Sequence, residues 1–316
     1  MLRREFLITG AVAAGALAGG LKLAAAQPAS EAARFHAARR YLETGFGRIA
    51  YVEQGEGPAA LFLHGWPLNG FQWRGAMARL SDARRCVAAD FMGLGYTDVA
   101  ADMDLSPINQ CEMIVAVMDA LNIDRADLVS NDSATTIAQL LAARHPERVR
   151  SMLITNGDVH TNSPPEPLKP TIEEARQGLL VERLERQVID PRIAQTEEGL
   201  GVVYTDPTIL TPEVVDVYLR PLVSTPKRRL QCQQYGVAFE PNPLPAIEQA
   251  LRRSQIPARI LWGTADFLFA AEWAEWLDAA LPRSQGVRYL EGAKLFFPEE
   301  FPKIIAEEAR RLWLVA

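Results

Sequence analysis

The stretch Ala126-Asp127-Leu128-Val129-Ser130-Asn131-Asp132-Ser133-Ala134-Thr135-Thr136-Ile137-Ala138 decides how this chain is read. An apolar run ends in a tight polar turn, and a helical pattern from Thr136 to Ala143 begins directly behind it. Asp132 stands at the centre of the turn, with the small residues Ser130 and Ala134 two places away on either side. A strand-to-helix turn this sharp requires small flanks, since bulky ones would collide, and it presents its central side chain as a nucleophile elbow does. The seat normally holds a serine; here it holds a carboxylate. The structural alternative for Asp132 is a helix N-cap bonded to first-turn amides.

Three further segments repeat the strand-then-turn pattern. Leu61-Phe62-Leu63-His64-Gly65-Trp66-Pro67 is an apolar strand breaking into a loop suited to carry an oxyanion-hole amide. Val87-Ala88-Ala89-Asp90-Phe91-Met92-Gly93 leads into a glycine turn, and Ile260-Leu261-Trp262-Gly263-Thr264-Ala265-Asp266 delivers an acid at a strand end. Apolar runs near 48–53, 59–63, 86–89, 126–130, 152–155, 258–262 and 287–290 alternate with helical patterns at 109–121 and 272–281. That alternation predicts an α/β fold, a mostly parallel sheet with helices on both faces and functional groups at the C-terminal strand ends. Between 158 and 256 the pattern changes to short amphipathic pieces rich in proline, among them a predicted helix over 177–188.

Taken together, these motifs and their order resemble the α/β-hydrolase superfamily, in particular its aspartate-nucleophile branch of epoxide hydrolases and haloalkane dehalogenases. The resemblance implies a core of residues 44–157 and 257–316 with a helical cap inserted at 158–256. It implies that Asp132 attacks an electrophilic sp3 carbon and that the backbone amides of Trp66 and Ser133 form the oxyanion hole. Asp266 falls where the superfamily places the acid that orients a histidine, and His64 belongs to a turn where the ring braces the loop. Tyr204, Tyr218 and Tyr235 are the cap phenols available to protonate an opening epoxide.

One part of the pattern is missing. The segment that should carry the histidine reads Gly292-Ala293-Lys294-Leu295-Phe296-Phe297-Pro298, so Leu295 takes the place of the base, and no histidine follows His160. Of the four histidines, His36 lies in the N-terminal region, His64 in the loop and His145 beyond the elbow helix. His160, after the strand at 151–155, is the one candidate substitute, with Asp158 or Asp266 to orient it. Haloalkane dehalogenases also place a tryptophan after the nucleophile and often an asparagine in the oxyanion loop, where this chain has Ser133 and Trp66.

Composition narrows the rest. At 316 residues with 48% apolar content, the chain is long enough for one large domain with an insertion. Its formal charge of −6 argues against nucleic acid or anionic membranes as partners. Cys86, Cys111 and Cys232 show no metal or redox spacing and read as buried thiols; no metal site and no cofactor is expected, and the oligomeric state is open. Residues 1–26 resemble a twin-arginine export signal: Arg3-Arg4 with Phe6-Leu7, an uncharged Ala/Gly-rich run, and Ala24-Ala25-Ala26 as a cleavage site. Residues 27–43 read as a linker with a short helical, Arg-rich piece. A periplasmic or secreted protein without stable membrane association is the expectation, and changing Arg3 and Arg4 to lysine should leave the precursor in the cytoplasm. Wild-type protein recovered from the cytoplasm with Met1 or Leu2 at its N-terminus would contradict it.

The expected activity is hydrolysis of a small hydrophobic electrophile of the epoxide type. Two other readings follow from the missing histidine. Asp132 is a base in non-covalent lyase or lactone-type chemistry, or the chain is a degenerate hydrolase that only binds a ligand.

Overall fold

All seven residues of the strand Ala126–Asp132 are buried, the signature of a central strand covered on both faces. The computed structural model describes residues 29–316; the export segment expected at 1–26 lies outside the described residues. Eight strands form one sheet: β1 (Arg40–Thr44), β2 (Gly47–Gln54), β3 (Ala59–Leu63), β4 (Arg85–Ala89), β5 (Ala126–Asp132), β6 (Val149–Gly157), β7 (Ala258–Gly263) and β8 (Ser284–Leu290). Their order is β1-β2-β4-β3-β5-β6-β7-β8, parallel from β4 to β8 and antiparallel at β1, β2 and the β2–β4 pairing.

Helices α1 (Glu31–Ala37), α2 (Arg74–Leu80), α3 (Pro107–Ala120) and α4 (Ala134–Arg144) precede the insertion. Six more, α5 (Lys169–Arg176), α6 (Leu180–Ile189), α7 (Pro191–Ala194), α8 (Pro212–Val223), α9 (Pro226–Val237) and α10 (Leu244–Leu251), fall between β6 and β7. The chain ends through α11 (Ala271–Ala280), α12 (Phe297–Glu300) and α13 (Pro302–Trp313). Around the sheet, α3 packs on α4 and α13 on α2; in the insertion, α6 packs on α8 and α5 on α9. Among the described residues, no helix is long and apolar enough to cross a membrane.

The short helical piece expected between 27 and 43 is α1, and a strand the sequence did not suggest, β1, follows it. Ala32 and Phe35 of α1 are buried, with Phe35 edge-on to Phe71 at 5.3 Å, and β1 pairs antiparallel with β2. The sequence Arg40-Tyr41-Leu42-Glu43-Thr44 hides this because an edge strand mostly open to solvent needs no apolar alternation.

Buried ions tie the layers together. At the start of β5, the fully buried Asp127 accepts hydrogen bonds from Arg84 (2.8 Å), Arg150 (2.9 Å) and Ser151 (2.7 Å). Glu299 of α12 is one of the buried links between core and insertion: it pairs with Arg74 and accepts from the phenols of Tyr204 (2.7 Å) and Tyr218 (2.8 Å). Burial and the Glu299 charge hold both phenols well above their ordinary range, so they remain neutral donors. These two tyrosines, expected as proton donors to substrate, are committed to Glu299 instead.

Candidate active site

The elbow forms because β5 runs directly into α4 with no room for a loop. Asp132 takes φ 58°, the left-handed region that a residue other than glycine enters at a penalty of about 1–3 kcal/mol, tolerated where the surroundings enforce it. Two glycines make the enforcement possible. A Cβ on Gly157 of the neighbouring strand would meet the Asp132 carbonyl oxygen at 2.3 Å, and one on Gly65 would meet Asp132 Oδ2 at 2.8 Å. The β3 loop can therefore approach the carboxylate, and the Trp66 N–H donates to Asp132 Oδ2 at 2.7 Å.

A chain of buried amides and one imidazole holds that loop. His64 is neutral, its pKa lowered by burial; its Nδ1–H donates to the Gly65 carbonyl at 3.0 Å, and Nε2 accepts from the Phe91 amide at 3.0 Å. Gln72 accepts from the Gly65 N–H at 2.8 Å and donates to Asn131 Oδ1 at 2.6 Å. Asn131 in turn donates to Thr155 Oγ1 and to the carbonyls of Asn156 and Leu295, at 2.9, 3.0 and 3.1 Å. Sequence reading did not single out Asn131 or Gln72. The only signal was position: Asn131 directly precedes the elbow residue, and Gln72 lies eight residues after His64.

Burial is the main influence on the Asp132 carboxyl and raises it to about 7, against the pull of the Trp66 and Ser133 amides; the charge of Asp266 adds to the rise. Asp266, after β7, accepts from the amides of Leu268 (2.8 Å) and Phe269 (3.3 Å) and from Asn156 Nδ2 (2.9 Å). It too is lifted by burial, to about 6. Asp132, but not Asp266, lines a cavity of about 270 Å³. Asp132, Trp66, Leu295 and Phe296 line its reactive end; Leu184 and Leu200 belong to its apolar wall, and Arg183 and Gln187 bring polar groups from α6.

The other candidates fall elsewhere. Leu295 occupies the expected base position, buried to 2% exposure and facing the cavity with Asp132. His160 does not join it: φ 47° turns the residue toward α10 and α11, where its ring stacks on Trp276 at 4.5 Å and Nε2 meets Glu248 Oε2 at 3.0 Å. Tyr235 alone of the three cap tyrosines stays beside the elbow. Burial raises its phenol above the ordinary range, and the charges of Asp132 and Asp158 add while Ser133 opposes. One cluster among the described residues has metal-ligating types, Cys111, Glu112 and His145, with ligand atoms within 4.8 Å. Arg144 already bonds Glu112 there at 2.9 and 3.1 Å, and burial pushes the Cys111 thiol up to about 12, so the Glu112 carboxylate is engaged by a guanidinium and the thiol is a poor metal ligand.

A tight loop after β3, an elbow after β5 and an acid after β7 stand at the C-terminal ends of parallel strands of one sheet, and residues 58–301 match the family model described as alpha/beta hydrolase fold. The chain belongs to the α/β-hydrolase fold family. Its relatives include several enzymes named as hydrolases and one named as a cis-3-alkyl-4-alkyloxetan-2-one decarboxylase, from Shewanella oneidensis. An uncharacterized hydrolase of Saccharomyces cerevisiae is 25% identical over 77% of this chain and 85% of its own length. A 2-hydroxymuconate semialdehyde hydrolase of Pseudomonas putida is 39% identical over 118 residues, 37% of this chain and 42% of the relative. Haloalkane dehalogenase 2 of Mycobacterium tuberculosis is 31% identical over 37% of this chain and 41% of its own length. The stretches matched in these last two thus span less than half of either relative. Among solved structures, a ligand-free epoxide hydrolase, CorEH, superposes with TM-score 0.72 at 18% identity, covering 87% of this chain and 98% of that one. The haloalkane dehalogenase DbeA from Bradyrhizobium elkani gives 0.72 at 22% identity, covering 88% and 99%. At these identities the superpositions speak to the α/β-hydrolase fold alone.

Proposed function

We propose that this α/β-hydrolase is a hydrolase of small hydrophobic sp3 electrophiles, of the epoxide type, with Asp132 as covalent nucleophile. The observation that carries the reading is the elbow carboxylate with Oδ2 held by the Trp66 amide at the floor of an apolar cavity. Oδ1 is then the attacking atom. It forms a bond to the substrate carbon, the carbon–oxygen bond of the ring breaks, and the oxygen takes a proton. The resulting ester has Oδ2 as its carbonyl oxygen, already against the amides that must stabilise the oxyanion when water adds to Cγ. Trp66 lines the same cavity and its Nε1–H is buried without a partner among the described residues, which favours haloalkanes as a second substrate class if a leaving halide reaches that N–H.

A carboxyl near 7 also suits a general base, so non-covalent lyase or lactone chemistry is the competing reading. Single-turnover reaction of excess protein in ¹⁸O-water separates the two. A covalent nucleophile places the label in Asp132 and leaves the first product unlabelled; a base places it in the product. Intact-protein mass after incubation with epoxides and haloalkanes completes the test: a chain that neither gains mass nor turns over any of them speaks against the covalent reading and favours the ligand-binding or non-covalent one. Export to the periplasm is part of the proposal and rests on the sequence of residues 1–26.

A further inference from the structure

The cavity that Asp132 lines is apolar around its reactive end, but α6 gives it a charged group. Leu180, Arg183, Leu184 and Gln187 stand at i, i+3, i+4 and i+7, one stripe of the helix, and all four line the cavity. A stripe turned inward is ordinarily apolar throughout, since a buried polar group without a partner costs stability. Two contacts fix this stripe relative to the reactive end. Gln187 Oε1 accepts from the Leu200 amide at 3.0 Å, and the Val203 carbonyl accepts at 3.1 Å from the amide of Phe296, the neighbour of Leu295. Arg183 lies one turn, about 6 Å, N-terminal to Gln187 on the same wall.

The Arg183 guanidinium is only partly engaged. Nη2 donates to Thr171 Oγ1 of α5 at 3.2 Å. Nε lies 3.0 Å from Glu174 Oε2 but out of alignment, so both of those atoms are buried without a hydrogen bond. Nη1 bonds no acceptor among the described residues. Charge and hydrogen bonding thus come apart: the Glu174 carboxylate offsets the positive charge, while N–H groups are left that need an acceptor. Glu197 lines the same cavity and Asp132 lies at its reactive end, so carboxylates outnumber the guanidinium around it. A guest with a negative charge of its own meets that excess, and an uncharged acceptor does not.

We propose that Arg183 selects substrates whose tail, away from the electrophilic carbon, ends in an uncharged hydrogen-bond acceptor such as an amide or ketone carbonyl. The inference rests on the reading that this cavity receives the substrate of Asp132. The electrophilic carbon then sits at Asp132 beside Trp66 and Leu295, the methylene chain lies on Leu184 and Leu200, and the tail carbonyl accepts from Nη1 of Arg183. Glu174 keeps the site selective against carboxylates by cancelling the charge that would draw them. No bond is made or broken at Arg183. Its contact is the same in the bound substrate and in the transition state, so its contribution belongs to KM rather than kcat.

The experiment uses the full chain with 1-bromohexane, 6-bromohexanamide and 6-bromohexanoate, which share a reactive end and differ in the tail. Wild type should show a higher kcat/KM for the amide than for the hexanoate. Arg183→Met, which keeps the apolar length of the side chain, should lower the preference for the amide over 1-bromohexane ~10-fold, through KM. That is the low end of what a hydrogen bond to a charged group supplies, because the Arg183 side chain is 33% exposed. A substitution that only damaged the fold would depress both substrates and leave their ratio unchanged. Glu174→Gln, which removes the offsetting charge and leaves Arg183 in place, should shift the preference toward the hexanoate by a similar factor. An amide preference that survives Arg183→Met, or a wild-type preference for the hexanoate, overturns the proposal and leaves Asp132 as nucleophile. If wild type forms no ester and turns over none of the three, the nucleophile reading falls instead, and calorimetric titration with hexanamide and hexanoate decides the tail on its own. Tighter binding of hexanamide that Arg183→Met removes supports the proposal; equal binding of hexanamide by the two proteins overturns it.

Discussion

Asp132→Asn should abolish ester formation, lower turnover by a factor on the order of 10⁴ or more, and at the same time stabilise the folded chain. The asparagine carbonyl can still accept the Trp66 N–H that Asp132 Oδ2 now accepts at 2.7 Å, so the elbow and cavity are kept while the attacking oxygen is lost. The stability gain follows from the carboxyl being raised from 3.8 to about 7 by burial. A carboxyl whose folded pKa lies above its unfolded value binds its proton more tightly in the native state. Its contribution is fully present below about pH 4 and is lost as pH rises through about 7. A tenfold difference in proton affinity between the folded and unfolded chain is worth about 1.4 kcal/mol, so at pH 8 wild type carries a penalty of a few kcal/mol that the amide lacks. Melting temperatures of the two proteins should converge near pH 4 and separate toward pH 8, with the variant higher. Asp266, at about 6, lowers stability in the same direction in both proteins, and its repulsion of an ionised Asp132 exists in wild type only and adds to the separation. Wild-type ester formation should rise with pH through about 7 as Asp132 ionises. Equal melting curves at pH 8 would mean that Asp132 is solvated; undiminished turnover in the variant would remove the covalent reading.

The parts of this fold that were legible in the sequence are those whose neighbours are local or whose chemistry is constrained. β5 could be read because a strand buried on both faces must be apolar and an elbow must have small flanks. The β3 loop and the Asp266 turn were legible by the same reasoning. β1 was not, since Arg40–Thr44 is paired on one side only and largely exposed. Glu299 shows a different limit. Its bonds to Tyr204 and Tyr218 join residues 95 and 81 positions apart, and no local pattern announces that two phenols of the insertion will be taken up by a carboxylate of α12. His160 shows a third limit. Its place just after β6 put it at the right sheet edge, but side-chain direction depends on one backbone angle, and at φ 47° the ring goes to Trp276. Asp158, two residues earlier, remains at the elbow.

Leu295→His should raise the rate of ester release by ~10²–10⁴-fold wherever release limits turnover. Leu295 faces the cavity that Asp132 faces, and its carbonyl is fixed by Asn131 at 3.1 Å, so a new side chain starts from a defined backbone position. Asp266 is near enough to Asp132 to raise its carboxyl, and its oxygens receive three hydrogen bonds, which leaves acceptor capacity for an imidazole N–H. The substitution places a polar ring where a buried leucine packs, and a loss of about 1–3 kcal/mol of stability is expected unless Asp266 receives that N–H. In pre-steady-state kinetics with 1-bromobutane, the ester signal should shrink in the variant while bromide release continues at the rate of ester formation. An imidazole at 295 that leaves ester lifetime unchanged would mean that the ring does not reach a water beside Cγ, and the missing-histidine account of slow release would fall.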